Sequence, residues 1–187
     1  MTLLDKIPLL DHGYVRLQNA SPSHSNLEEI RKRAYKGTMV AHHFDLPYVH
    51  VEICCPYAIL LTLVSSGLTA LPYQDMNREL AFLPDAGNIR SGTLADDMAI
   101  SDHIKTTVES TMLNQQAYAK DNCDRAIATL TTPLAAYWEG VIHGKLSSFL
   151  RFTESKHQPR IIQVYQEGVR NSISLEYKNL SEMILRL

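Results

Sequence analysis

Cysteine is scarce in this 187-residue sequence: Cys54 and Cys55 are neighbours, and Cys123 stands far from both. Adjacent cysteines bridge only with severe strain, and no pair has the spacing of a zinc knuckle. The expectation is therefore buried, reduced thiols in a cytoplasmic protein. Long apolar runs are lacking as well. The longest, Tyr57 to Val64, falls far short of the roughly 20 residues that cross a bilayer. The opening Met1-Thr2-Leu3-Leu4-Asp5-Lys6 places an acid where a secretory signal carries its apolar stretch. Nor is there an excess of basic charge. Eighteen Lys and Arg face 20 Asp and Glu, for a net charge of −2, which argues against a duplex nucleic-acid binder. A small phosphorylated ligand needs only two or three local cations, so that class stays open. The sequence also lacks G-x-G-x-x-G, a P-loop, H-E-x-x-H and G-x-S-x-G, which removes the commonest dinucleotide, nucleotide, zinc-protease and serine-hydrolase signatures.

What is present is a globular composition, 45 % hydrophobic and 20 % charged, at a length that suits one domain over residues 1–187. Tyr14-Val15-Arg16-Leu17-Gln18 alternates and reads as a strand. Ser25 and Glu28 form a capping box ahead of Leu27, Ile30 and Ala34, with Gly37 as the stop. Tyr48 to Cys54 is the clearest strand, with Val49, Val51 and Ile53 on one face and Tyr48, His50 and Glu52 on the other. Pro56 opens a buried helix from Tyr57 to Ser65, ended by Gly67. Residues 68–93 contain Pro72, Pro84, Gly87 and Gly92 and read as a long loop. A helix from Thr93 carries Ile100, Ile104, Val108 and Met112 at every fourth position, with Leu113 and Ala117 widening the stripe. After Pro133, the residues Leu134, Tyr137, Trp138, Val141, Ile142, Leu146, Phe149 and Leu150 read as a second, central helix. Pro159 opens the last, with Ile162, Tyr165, Val169 and Ile173 on one face. The fold class expected is α+β, a small sheet packed with long helices. His42, His43, Asp45 and His50 read as loop-surface groups, because adjacent side chains on extended chain point to opposite sides, so no metal site is expected.

Three segments in order carry a resemblance. Leu9-Leu10-Asp11-His12-Gly13-Tyr14-Val15-Arg16-Leu17 looks like the opening strand of the flavin-dependent thymidylate synthases. Leu46-Pro47-Tyr48-Val49-His50-Val51-Glu52 is similar to that family's T-P-F-E-H entry, and Cys55-Pro56 leads on into its next helix. Trp138, then Leu146-Ser147-Ser148-Phe149-Leu150, then His157-Gln158-Pro159-Arg160-Ile161-Ile162 resemble the family's L-x-x-F-L-x-x-R-x-x-x-H-A-Q-x-E-I stretch. The resemblance spans roughly residues 4–180. It implies a flavin-dependent thymidylate synthase-like fold and a homotetramer that binds FAD and a uracil nucleotide between subunits. It also implies transfer of a one-carbon unit followed by reduction, with the flavin supplying the difficult chemistry.

The same comparison exposes a departure. The family's R-H-R-x-x-S-x-N-E-x-S-x-R signature belongs about nine residues after Pro56, where this chain reads Ser65-Ser66-Gly67 and onward to Asn77-Arg78. The basic triad is gone, Val49 replaces the acid of T-P-F-E-H, and Thr153 replaces the arginine after F-L. The resemblance then implies a cofactor site made from His157, Ser148, Arg78 and Arg160, and a substrate site made from Arg125 and Arg151. Arg125 has a structural alternative in ion pairs with Asp121 or Asp124, and His157 in capping the last helix. No catalytic residue is assigned. FAD is the cofactor expected, and the use of folate and NADPH stays open. Two functions remain in view. One is a divergent flavoenzyme, a methyltransferase or oxidoreductase acting on a pyrimidine nucleotide or related small molecule. The other is a non-catalytic homo-oligomeric binding protein that kept the fold.

Overall fold

The computed structural model describes residues 5–21, 47–73, 81–83, 94–120, 133–156 and 158–177. Strands β1 (Ile7–Leu9), β2 (Gly13–Ser21), β3 (Tyr48–Pro56), β4 (Thr69–Pro72) and β5 (Tyr137–Lys145) form one sheet in the order β1-β2-β3-β5-β4. Every pairing is antiparallel. Among the described residues four helices accompany it: α1 (Tyr57–Ser65), α2 (Leu94–Lys120), α3 (Leu146–Glu154) and α4 (Arg160–Ser174). The α+β class expected from the sequence holds at this level.

Alternation decides which face is dry. Val15 and Leu17 of β2, Val49, Val51 and Ile53 of β3, and Trp138 and Ile142 of β5 all point into one core cluster. Ile59 and Leu63 of α1, Phe149 and Phe152 of α3, and Tyr165, Val169 and Ile173 of α4 meet them there. Full burial of each such side chain contributes about 1.5–3 kcal/mol. The helix starts agree with the prolines. Pro56 caps α1, whose first amides bond outward, Tyr57 N–H to Ala136 O at 2.9 Å and Ala58 N–H to Leu134 O at 3.0 Å. Pro159 likewise caps α4.

The expected central helix over Leu134 to Leu150 is corrected. Tyr137–Lys145 is strand β5, beside β3, and only Leu146–Glu154 is helical. Tyr137, Trp138, Val141 and Ile142 fit a helical stripe and a strand equally well, and the inward positions between them are Gly140 and Gly144, which hide the alternation. Gly140 is required by close approach rather than by flexibility. A β-carbon there would lie 2.3 Å from Leu71 O on β4 and 2.6 Å from the Trp138 ring. The expected loop over 68–93 also changes, since Thr69–Pro72 adds β4 at the sheet edge, where a proline is tolerated. β1 was too short to recognise by period.

Helix α2 is where expected, but its apolar stripe is only partly the buried one. Val108 and Met112 are buried, as are the polar Asp97, Ser101 and Gln115. Leu113 is 65 % exposed, and Ile100 and Ala117 also face outward. The buried line thus runs through 97, 101, 108, 112 and 115, turned away from the line that hydrophobicity alone picks out. No described side chain of α2 belongs to the core cluster on the sheet. The capping box at Ser25 and the His42, His43 and Asp45 group lie outside the described residues.

Candidate functional site

The sheet face turned away from α1, α3 and α4 is polar, and Glu52 is its hub. Its carboxylate, 3 % exposed, accepts from the Tyr14 hydroxyl at 2.7 Å, Arg16 Nε at 2.9 Å and Gln18 Nε2 at 3.1 Å. Arg16 Nη2 also donates to it, and Lys6 Nζ lies 3.6 Å away. The register places Arg16 directly opposite Glu52. A bulge at Gln18 then brings that amide to both Glu52 and the Tyr73 hydroxyl, each at 3.1 Å. Burial pushes the Glu52 carboxyl up, but the bonds from Tyr14, Arg16 and Gln18 outweigh it and hold the group below its ordinary value. Glu139 Oε1 also lies within hydrogen-bond reach of that hydroxyl, whose one proton is shared between the two carboxylates, and burial together with them drives the hydroxyl far up. Tyr137 donates to Asp11. With its lone pairs engaged and its basicity reduced, Glu52 is a fastening between β2 and β3, not a proton acceptor for chemistry. The alternation of β3 puts Glu52 on this face, but its donors Tyr14, Arg16 and Gln18 stand on β2, 34 to 38 residues away along the chain, so no local pattern shows the network.

The opposite situation holds where α1 ends. Ser65 Oγ and Ser66 Oγ both turn back to Thr62 O, at 2.8 and 3.0 Å, and the Gly67 amide donates to Val64 O at 2.9 Å. Gly67 has φ +87°, the left-handed stop. These are the positions at which the resemblance would place R-H-R, and here two serine hydroxyls and a glycine backbone are spent on terminating a helix. Helix α3 comes alongside. A β-carbon on Gly67 would lie 3.3 Å from Ser148 Oγ and 3.9 Å from Arg151 Nη1. The structure therefore brings two of the expected site residues, Ser148 and Arg151, together against one backbone position.

Arg160 is exposed in the first turn of α4, across the short 155–159 connection from α3. Pro159 offers no capping side chain, the Ile162 and Gln163 amides close on Pro159 O at 2.9 and 3.1 Å, and the helix start carries its positive dipole end beside Arg160. The connection is stapled by Gln166 Nε2, donating to Phe152 O at 2.7 Å and Ser155 O at 3.0 Å, and by Arg170 Nη2, donating to Thr153 O at 2.6 Å. These bonds satisfy the last carbonyls of α3. Thr153, where the resemblance would place an arginine, is buried and donates to Leu150 O at 3.2 Å, a structural use. His157, Arg78 and Arg125 lie outside the described residues.

Cys54 and Cys55 are buried free thiols, as expected. Burial, with help from Glu139, pushes the Cys54 thiol up to about 12, and burial raises Cys55 well above its ordinary value. Neither is a nucleophile at neutral pH. No described helix is long and apolar enough to cross a membrane. No protein-family model matches the chain, and no curated protein matches it either.

Proposed function

We propose that the chain is a divergent enzyme of the flavin-dependent thymidylate synthase type, binding FAD and modifying a pyrimidine nucleotide or a related small molecule by one-carbon transfer and reduction. The observation that carries this reading is the approach of Arg151 and Ser148 to Gly67. It supplies one guanidinium and one hydroxyl at the end of α1, where the resemblance calls for a basic triad. Arg160, exposed at the positive dipole end of α4, adds a second cation for phosphate oxygens. The flavin supplies hydride chemistry when bound. The chain's own part is to hold phosphates, orient the pyrimidine and stabilise charge that develops on it.

Ordinary thymidylate synthesis does not fit this site. Three clustered groups of the signature are gone, each worth roughly 1.5–3 kcal/mol as a charge-assisted bond, and Arg151 replaces one. Methylation of dUMP with methylenetetrahydrofolate and NADPH is expected to be negligible, and robust turnover in that assay overturns the altered-substrate reading. The second reading, a non-catalytic homo-oligomeric binding protein, is favoured by exposed apolar side chains: Leu113 and Met98 on α2, Leu61 and Val64 on α1. Both readings include a homotetramer. Bound or readily reconstituted FAD in the purified protein supports the enzyme, and a protein that takes up none supports the binding module.

A further inference from the structure

Gly67 ends α1 with φ +87°, and asparagine also makes a left-handed stop of that kind. What sets this position apart is the space beside it. Outside its chain neighbours, only two described atoms come within 4 Å of where a β-carbon would stand: Ser148 Oγ at 3.3 Å and Arg151 Nη1 at 3.9 Å. Ser148 is 9 % exposed, yet its hydroxyl forms no hydrogen bond with the described residues. A nearly buried hydroxyl without a partner is costly, and a ligand oxygen is a partner that this space admits. Arg151 is exposed and pairs with no described carboxylate. The C-terminal end of a helix ordinarily repels an anion, but here the last carbonyls of α1 are engaged. Thr62 O and Leu63 O accept from the Ser66 amide, Val64 O accepts from the Gly67 amide, and both serine hydroxyls add to Thr62 O. No acidic side chain occurs from Tyr57 to Gln74.

We propose that Gly67, Ser148 and Arg151 form a seat for one phosphate group, and that Gly67 decides access to it because only a bare α-carbon leaves the seat open. Ser148 and Arg151 stand three residues apart on α3, so both project to one side of that helix. Charge-assisted bonds to phosphate oxygens run about 2.7–2.9 Å, and a tetrahedral anion offers separate oxygens to the guanidinium and the hydroxyl. A methyl at position 67 would stand on the ground between them. The work of the seat is binding alone: the hydroxyl donates one hydrogen bond, the guanidinium donates and neutralises, and no covalent bond changes. The inference rests on the reading above for its phosphorylated ligand, whose phosphate is that of the uracil nucleotide or that of the flavin.

The test is titration of the full chain with inorganic phosphate, followed by the backbone amide signals of Gly67 and Ser148, with thermal unfolding in parallel. Binding with a Kd of about 1 mM is expected. Arg151→Ala should weaken it by about 10-fold or more, and Ser148→Ala by about 2- to 12-fold. Gly67→Asn is the decisive variant, since asparagine keeps the left-handed stop but fills the seat. It should stay folded with a Tm near that of the wild type and lose phosphate binding about as far as Arg151→Ala does. Lys105→Ala, a cation on α2, should change nothing. Displacement of the phosphate by a uracil nucleotide assigns the seat to the substrate, and displacement by FAD assigns it to the cofactor. Phosphate binding in a protein that takes up no FAD keeps the seat and removes the flavin reading. FAD uptake with no phosphate response up to about 20 mM removes the seat alone. Undiminished phosphate binding in folded Gly67→Asn, or in Arg151→Ala, overturns the proposal.

Discussion

Replacing Glu52 by glutamine keeps the shape of the side chain and removes its charge. The carboxylate sits among four donors and is 4 % exposed as a side chain. Breaking a buried pair costs about 3–5 kcal/mol when the partner is left charged and dry. Here Arg16 is 25 % and Lys6 48 % exposed, so both charges regain water and the cost falls to about 2–3 kcal/mol. For a chain of this size that lowers Tm by about 4–12 °C. Urea unfolding of Glu52→Gln, Arg16→Gln and the double variant measures it, the double variant recovering part of the loss. The pH dependence has a definite sign. Because the folded-state carboxyl lies below its ordinary value near 4.5, its contribution is complete above that pH. It is lost as the pH falls through the folded value, so wild type and Glu52→Gln converge in acid. A loss under about 1 kcal/mol at neutral pH, or a gap that widens in acid, refutes the hub.

A thiol reagent at neutral pH should leave Cys54 and Cys55 unmodified until the protein is unfolded, since both are buried and raised; rapid labelling of either in native protein contradicts their core placement. Gly67→Ala should cost about 1–2 kcal/mol from the left-handed φ alone, read by urea unfolding, and no loss would show that α1 does not end there. Light scattering at micromolar concentration should give a tetramer, and a monomer removes the shared-site model.

Three places show how far the sequence carried. β3 and α1 were legible because Val49, Val51 and Ile53 keep a strict period of two and Pro56 marks the change to a helix. β5 was not, because Gly140 and Gly144 occupy inward positions and erase the hydrophobic alternation, while the remaining apolar residues imitate a helical stripe. α2 was legible as a helix but not in its orientation, since the polar Asp97, Ser101 and Gln115 are buried while Ile100, Leu113 and Ala117 of the expected stripe face outward. Of the candidate site, Ser148 and Arg151 came from the resemblance. That Arg151 reaches Gly67 depends on how α3 lies beside α1, a tertiary fact no local pattern encodes. The Glu52 network was hidden for the same reason, its partners standing 34 to 38 residues away along the chain on another strand.

The most direct test of the central claim is titration of the purified chain with FAD, followed by quenching of flavin fluorescence, for the wild type, Ser148→Ala and Arg151→Ala. The account predicts wild-type binding with a Kd of about 10 μM or tighter. Loss of the Ser148 hydroxyl should weaken it by about 2- to 12-fold, the worth of one ordinary hydrogen bond. Arg151→Ala should spare most flavin binding and weaken a uracil nucleotide by about 10-fold or more, as loss of a charge-assisted bond requires. No FAD binding by folded wild-type protein at about 100 μM, or identical affinities in wild type and Ser148→Ala, would contradict the flavin site at the end of α1.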